Sequence, residues 1–247
     1  MLAEVVGGAV ILLKVARAGP LSYRHGSFRR SPVGRVIWDW GYGWGVLGID
    51  DVRRALLGYE PALHEGRLQH RAAVAIVLTG NAGSLDLLLI ERATRAGDPW
   101  SGQMAFPGGR VDAADATARA AAERETLEEV GLSLAGSEFL GRLDDLPGRP
   151  APPSDFAVSA FVFYASDPGA LALNHEVRDA FWFPLDLLSD RERQIDHPAT
   201  VESDRLFPGI LVGEPGRHVV WGLTYRFLER FLKILGQPPL PEGTLSR

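Results

Sequence analysis

Residues Ala72 to Leu78 read AAVAIVL, seven apolar side chains with no polar interruption. A strand with one wet face alternates in polarity, so an unbroken run suits a strand covered on both faces. Leu85 to Ile90 (LDLLLI) reads as a second strand, with Gly80-Asn81-Ala82-Gly83 as the turn between them. Such strands need covering layers above and below a central sheet.

The rest of the chain supplies those layers. Asp50 is expected to cap a short helix that runs to Gly58, and Thr117 to Val130 reads as a helix stopped by Gly131. Leu140–Leu143, Phe156–Tyr164 and Ala180–Phe183 read as further strands. Pro147 to Pro153 (PGRPAPP) reads as a rigid extended loop, because proline fixes φ and removes donors. A last helix is expected over Val219–Leu235. Val220, Thr224, Phe227, Leu228, Phe231, Leu232 and Leu235 fall on one of its faces, and Gly236 stops it. No repeat or low-complexity tract interrupts this order. It predicts one layered α/β (α+β) domain over residues 48–247, preceded by an extension of unknown role over residues 1–47.

Composition narrows the function. At 46% hydrophobic and 23% charged, the 247 residues can bury a core. Lys plus Arg is 26 against 31 acidic residues, a net charge of −5, which argues against a dedicated nucleic-acid binder. A polyanionic substrate stays open if a cation or a local basic patch offsets the repulsion. There is no cysteine, so disulfides, zinc–thiolate sites and cysteine nucleophiles are excluded, and a cytoplasmic setting is expected. No run is long enough to span a bilayer as a helix. Leu2–Leu13 carries Glu4, ends at Lys14 and suits a secretory signal poorly. In the extension, Trp38, Trp40 and Trp44 alternate with glycines, and Arg24, Arg29, Arg30 and Arg35 make it locally basic. Basic and aromatic residues together can bind single strands, but this run is short and irregular, and packing on the domain is the simpler expectation.

The chemistry concentrates between Phe106 and Leu132 (FPGGRVDAADATARAAAERETLEEVGL). With Glu125 at 0°, the helical period sets Glu128 at about 300° and Glu129 at about 40°, so three carboxylates share one arc. Helix stability does not ask for this: like charges repel at i, i+4, and the C-terminal end of the dipole disfavours anions. A solvated face with an Arg124–Glu128 pair is one reading. The other is a hard cation, since Mg²⁺ takes oxygen ligands and bridges to phosphates. The Phe106-Pro107-Gly108-Gly109 turn upstream favours the second, because it can present a backbone carbonyl to a metal or approach a phosphate closely.

These residues resemble the box of the Nudix hydrolases, G-x5-E-x7-R-E-U-x-E-E-x-G-U with U aliphatic. Arg124, Glu125, Glu128, Glu129, Gly131 and Leu132 fit its second half, and Thr126 replaces the first aliphatic residue. In the first half, the acidic position counted from Gly109 falls on Asp115, with eight residues rather than seven before Arg124. The coenzyme A pyrophosphatase branch has a similar spacing and aspartate. Leu88-Leu89 with Arg92-Ala93, the Gly102–Gly109 lead-in, Leu140–Leu146, Glu176-Val177 with Pro184-Leu185, and Trp221–Thr224 are also similar to that branch. Its second arginine is not matched at the usual spacing: the segment reads Thr94-Arg95-Ala96-Gly97-Asp98-Pro99-Trp100-Ser101.

The resemblance implies an α/β/α sandwich with a mixed sheet, and hydrolysis of a nucleoside diphosphate linked to another group, with Mg²⁺ or Mn²⁺ as cofactor. Coenzyme A or acyl-coenzyme A is the expected substrate. ADP-ribose, a dinucleotide or a damaged nucleotide is the alternative, and a non-catalytic binding module the third reading. The resemblance implies Glu125, Glu128, Glu129 and the Gly108 carbonyl as metal ligands, with Glu128 or Glu176 as base. Arg124 orients the glutamates. Arg92 is expected to meet a substrate phosphate and Gln103 to stabilise the loop before the box. Asp115 either holds an outer water or caps the helix. The partner is a small molecule; no nucleic acid is expected, and the oligomeric state is open.

Overall fold

The structure, a computed structural model, describes residues 47–64, 70–81, 83–95, 100–148, 156–198 and 205–241, together with the backbone of four strands nearer the N-terminus. Met1–Gly45 and Val46–Arg247 form separate compact units. In the first, β1 (Leu2–Val6) pairs antiparallel with β2 (Ala9–Leu13), and β3 (Ser27–Arg30) with β4 (Val36–Asp39). The tryptophan and arginine side chains noted in that stretch lie outside the described residues.

The second unit begins with α1 (Ile49–Leu57) and is built on β5 (His70–Asn81) and β6 (Ser84–Arg92). Their hairpin pairs Asn81 with Ser84, so both apolar runs are strands, each longer than its apolar stretch. β7 (Met104–Ala105) pairs with β6, and β8 (Gly108–Arg110) with β5. After α2 (Ala118–Val130) come β9 (Glu138–Arg142), β10 (Leu146–Pro147), β11 (Phe156–Tyr164) and β12 (Val177–Pro184). The sheet runs β10-β11-β5-β6-β12, with β9 against β11. Only β11 and β5 are parallel among these pairs; the others are antiparallel, so the sheet is mixed.

Strand periodicity explains the unbroken apolar runs. Ile76, Leu78, Leu87 and Leu89 point into a core shared with Val52 and Leu56 of α1 and with Phe227, Leu228 and Phe231 further along. Ala73, Ala75, Val77, Leu88 and Ile90 point into a second core with Ala121, Ala122 and Val130 of α2. Alternate side chains thus fill opposite layers, and neither layer tolerates a polar residue. The architecture is an α/β/α sandwich.

Some expectations need correction. Asp50 lies within α1; Gly48 is the N-cap, and its N–H donates to Asp51 Oδ2 at 2.9 Å. The last helix, α3 (Gly222–Ile234), is shorter than its apolar stripe suggests. Val219–Trp221 is β15, and Gly222 at φ +64° makes the break between strand and helix. β15 completes a separate antiparallel sheet, β13 (Gln194–Pro198), β14 (Leu206–Leu211) and β15, which the sequence did not announce. Of the proline-rich loop, Pro147 belongs to β10 and Gly148 N–H donates to Phe156 O at 2.8 Å; residues 149–155 lie outside the described residues.

The β14–β15 connection is pinned to the main sheet. Arg217 Nε donates to Glu91 Oε2 at 2.9 Å and Arg178 to Glu91 Oε1 at 3.2 Å, where Glu91 is 1% exposed. Burial by itself would raise the Glu91 pKa, but the Arg217 hydrogen bonds and the neighbouring positive charges hold it below the ordinary value. No helix among the described residues is long and apolar enough to cross a membrane.

Candidate active site

The site is assembled where α2 crosses the β5–β8 edge. Thr117 caps α2, its Oγ1 accepting from Ala120 N–H at 3.0 Å, and Gly131 ends it in the left-handed conformation. Upstream alanines keep the helix slim against the sheet. Thr126, at the position where the box has an aliphatic residue, is fully buried and donates its hydroxyl to Ala122 O at 2.7 Å, so the substitution leaves no polar atom unmet.

Glu129 falls on that same buried face and is 1% exposed. Its Oε2 accepts the Gly108 N–H at 2.9 Å. Burial pushes its pKa up to about 7, against the Gly108 hydrogen bond and the positive charge of Arg92, which oppose the shift. Glu125 stands at the edge of this face with a side chain 15% exposed; burial raises its pKa too, despite Arg124. Glu128 is outermost, 54% exposed, with Oε2 3.1 Å from Arg124.

The glycine pair fits this packing closely. A Cβ on Gly108, at φ +150°, would lie 2.3 Å from Ala73 O, and one on Gly109 would lie 2.4 Å from Glu125 Oε1. Pro107 O and Val111 N–H bond to β5, at Ala75 N and Arg71 O. Alternation along an antiparallel pair then turns the Gly108 and Arg110 groups outward. Gly108 N–H reaches Glu129 on that side and Arg110 O accepts from Arg124 Nη2 at 3.1 Å, which leaves the Gly108 carbonyl directed away from β5 beside the carboxylates.

Arg124 links the parts. It donates to both oxygens of Asp115 at 3.0 Å and to Glu125 at 2.9 Å and Glu128 at 3.1 Å. Asp115 is not the helix cap, which is Thr117; its Oδ2 also accepts from Asp112 N–H at 2.8 Å. The Arg124 hydrogen bonds lower its pKa. The Asp112–Asp115 turn, closed by Asp115 N–H on Asp112 O at 3.0 Å, holds the aspartate within reach of the guanidinium.

Glu176 arrives from far along the chain. Asn174 N–H donates to Glu129 O at 3.0 Å, Asn174 Oδ1 accepts from Glu176 N–H at 2.7 Å, and Ala93 N–H donates to Glu176 O at 2.7 Å. These bonds tie the loop to the end of α2 and to the strand end that carries Arg92. Glu125, Glu129, Glu176, Arg92, Gln103 and Gly108 all line one cavity of about 1320 Å³. Glu128 and Arg124 stand outside its lining. Arg95, set aside by its spacing, pairs with Glu176 at 2.8 Å. That contact joins residues 81 positions apart, so no local signal could have announced it.

A second acidic group, Glu91, Asp179 and His218, has ligand-type atoms within 4.8 Å of one another. It reads as part of the ion-pair cluster on Arg217. His218 Nδ1 accepts from Glu214 N–H at 3.0 Å, so the neutral ring carries its proton on Nε2, the nitrogen 3.5 Å from Glu91 and 3.6 Å from Asp179. A protonated ring nitrogen donates and does not ligate a metal.

The chain is similar to several known proteins. Residues 69–203 match the NUDIX domain. An uncharacterized protein of Schizosaccharomyces pombe is 41% identical over 108 residues, 41% of this chain and 33% of that protein, so the match spans about a third of that relative. The uncharacterized Nudix hydrolase NudL of Escherichia coli K12 is 28% identical over 198 residues, 78% of this chain and 97% of NudL. Among solved structures, a Caenorhabditis elegans Ap4A hydrolase binary complex aligns over 47% of this chain and 81% of its own, with 21% identity and a TM-score of 0.38. The NUDIX domain of Shewanella oneidensis NrtR with ADP ribose aligns over 53% and 82%, with 22% identity and a TM-score of 0.39. With over half of its residues matched to the family, the chain belongs to the NUDIX domain family and is a hydrolase.

Proposed function

We propose that the protein cleaves the pyrophosphate bond of coenzyme A and its acyl derivatives, giving 3′,5′-ADP and (acyl-)phosphopantetheine, with residues 48–247 carrying the reaction. The observation that carries the reading is a buried Glu129 beside Glu125 and Glu176 in a cavity that also holds Arg92. Such a group of acids is tolerable when a cation neutralises it.

The donors fit a hard divalent ion, Mg²⁺ or Mn²⁺: carboxylate oxygens of Glu125 and Glu129, the Gly108 carbonyl beside them, and Glu128 at the rim. When bound, the ion neutralises phosphate charge and makes a bound water more acidic. The protein's own residues do the rest. Arg124 holds Glu125 and Glu128 in place, and Asp115 holds Arg124. Glu176 accepts a proton from the attacking water at the cavity wall, and Arg92 grips a phosphate oxygen through its planar fork. Gln103 O accepts the Arg92 N–H at 3.1 Å and so ties the loop before the box to the strand end that carries Arg92.

Incubation with Mg²⁺ and coenzyme A, followed by mass-resolved chromatography, is expected to show both products. A second reading, ADP-ribose or another nucleoside diphosphate derivative, is favoured by the position of Arg95, which is spent on Glu176. Brisk ADP-ribose turnover without coenzyme A turnover would select it. Arg124→Ala is expected to lower kcat about 10–100-fold, as loss of a group that orients metal ligands does. Asp115→Asn is expected to fall in the same direction, and wild-type rates in both would remove the orienting role.

A further inference from the structure

Partly buried arginines in this fold keep a carboxylate beside them: Arg53, Arg124, Arg142, Arg193, Arg217 and Arg230 each pair with one. Arg226 on α3 is partly buried too and lines the cavity, yet its side chain makes no hydrogen bond or ion pair among the described residues. Glu229, one turn on, also lines the cavity but makes no ion pair with Arg226. A guanidinium drawn from water without an acid beside it is costly, and an anion that arrives with the ligand offsets that cost.

Two more basic side chains share its side of the sheet. Arg110 stands opposite Ala72 in the antiparallel β8–β5 pair, so the two side chains lie on one face. His70 precedes Ala72 by two residues on β5 and shares that face. Ala72 and Val74 pack against the core that holds Phe227, Leu228 and Phe231 of α3. Arg110, His70 and Arg226 thus belong to the α3 side, and all three line the cavity. Glu125 and Glu129 come from α2, which covers the opposite face through Ala73 and Ala75. The cavity therefore takes its carboxylates from one layer and these basic groups from the other. The hydroxyls of the α3 wall are engaged: Thr224 donates to Met104 O at 3.3 Å and Tyr225 to Pro241 O at 2.9 Å. What the three basic groups offer a ligand is N–H donors and positive charge, and a guanidinium fork matches phosphate oxygens.

We propose that Arg226, with Arg110 and His70, forms a second anion subsite that reads a phosphomonoester carried by the substrate away from the scissile pyrophosphate. Arg226 is then a specificity-determining residue. It selects nucleoside diphosphate derivatives with an added ribose phosphate over those with a free ribose. This deepens the reading above and rests on it. Of the two substrates weighed there, coenzyme A bears such a group and ADP-ribose does not.

The test compares kcat/KM for coenzyme A and 3′-dephospho-coenzyme A in wild type, Arg226→Ala and Arg226→Lys. Wild type is expected to prefer coenzyme A by about 10–100-fold. Arg226→Ala is expected to lose most of that ratio through a higher KM for coenzyme A. Arg226→Lys is expected to keep part of it, since an ammonium keeps the charge without the fork. Arg110 is exposed, so Arg110→Ala, expected to lose part of the ratio, reports even if Arg226→Ala folds poorly. A wild-type ratio near one, or a ratio unchanged in Arg226→Ala (in Arg110→Ala where the first does not fold), overturns the subsite and leaves the pyrophosphatase reading intact. If neither substrate is cleaved, that reading fails, and calorimetry with 3′,5′-ADP and 5′-AMP decides the subsite. Binding of 3′,5′-ADP about tenfold or more tighter than 5′-AMP, with the difference lost in Arg226→Ala, supports it. Equal binding, no binding of either, or a difference that survives in the variant overturns it.

Discussion

Glu129→Gln is expected to lower turnover by roughly 10²–10⁴-fold while leaving the fold at least as stable as wild type near neutral pH. The substitution keeps shape and keeps an oxygen to accept the Gly108 N–H now 2.9 Å from Oε2. What it removes is a buried negative charge that has no direct salt bridge among the described residues. A carboxylate held buried at the expense of stability is what the proposed metal-ligand role of Glu129 requires. Glu125→Gln should follow it. Glu123→Gln is the control: Glu123 lies on the same helix, paired with Arg119 at 2.7 Å on the outer surface, and should stay within about twofold of wild type. The measurements are steady-state hydrolysis and thermal unfolding on the same preparations. Near-normal turnover in Glu129→Gln would end its assignment as a metal ligand.

How much of this the sequence displayed depended on the range of each interaction. β5, β6, β11 and α2 were legible because their signals are local: unbroken apolar runs and a Gly131 stop. The three carboxylates were legible because helical spacing alone places them on one arc. The β13–β14–β15 sheet was not, for a physical reason. Its strands contain Pro198, Pro208 and Gly209, which weaken a strand reading, and Val220 happened to extend the apolar stripe of α3 by one turn. Asp115 did not take the capping role open to it, because Thr117 caps α2 and the partner of Asp115 is a guanidinium nine residues on. Asp144, which is buried, and Asp145, which is partly buried, had no local signal; they fix residues 59–64, with Tyr59 and Ala62 donating to Asp144 and His64 N–H to Asp145. The basic wall of the cavity required tertiary contacts and had no pattern of its own.

The same buried carboxylate predicts an unusual pH dependence of stability. In the unfolded chain Glu129 titrates near the ordinary 4.5, and in the folded, metal-free chain burial raises it to about 7. An acid whose folded pKa is raised stabilises the fold below its unfolded pKa, and that contribution is lost as pH rises through the folded value. Between about pH 4.5 and pH 7 the metal-free protein should therefore lose about 3 kcal/mol that Glu129→Gln does not lose. Glu125, also raised by burial, acts in the same direction. Carboxylates with lowered values, such as Glu91 and Asp145, act below this window, and His197, whose pKa burial lowers, acts oppositely within it. Glu91, Asp145 and His197 are common to wild type and variant and cancel in the comparison. For a domain of this size the difference in Tm should grow by roughly 6–12 °C between pH 5 and pH 8 in chelator. Mg²⁺ should reverse it, more strongly at pH 8, because at lower pH the ion must displace the Glu129 proton to bind. Parallel Tm curves for wild type and Glu129→Gln across that range would mean that Glu129 is ionised in the metal-free fold. The cation would then be joining a site already charged.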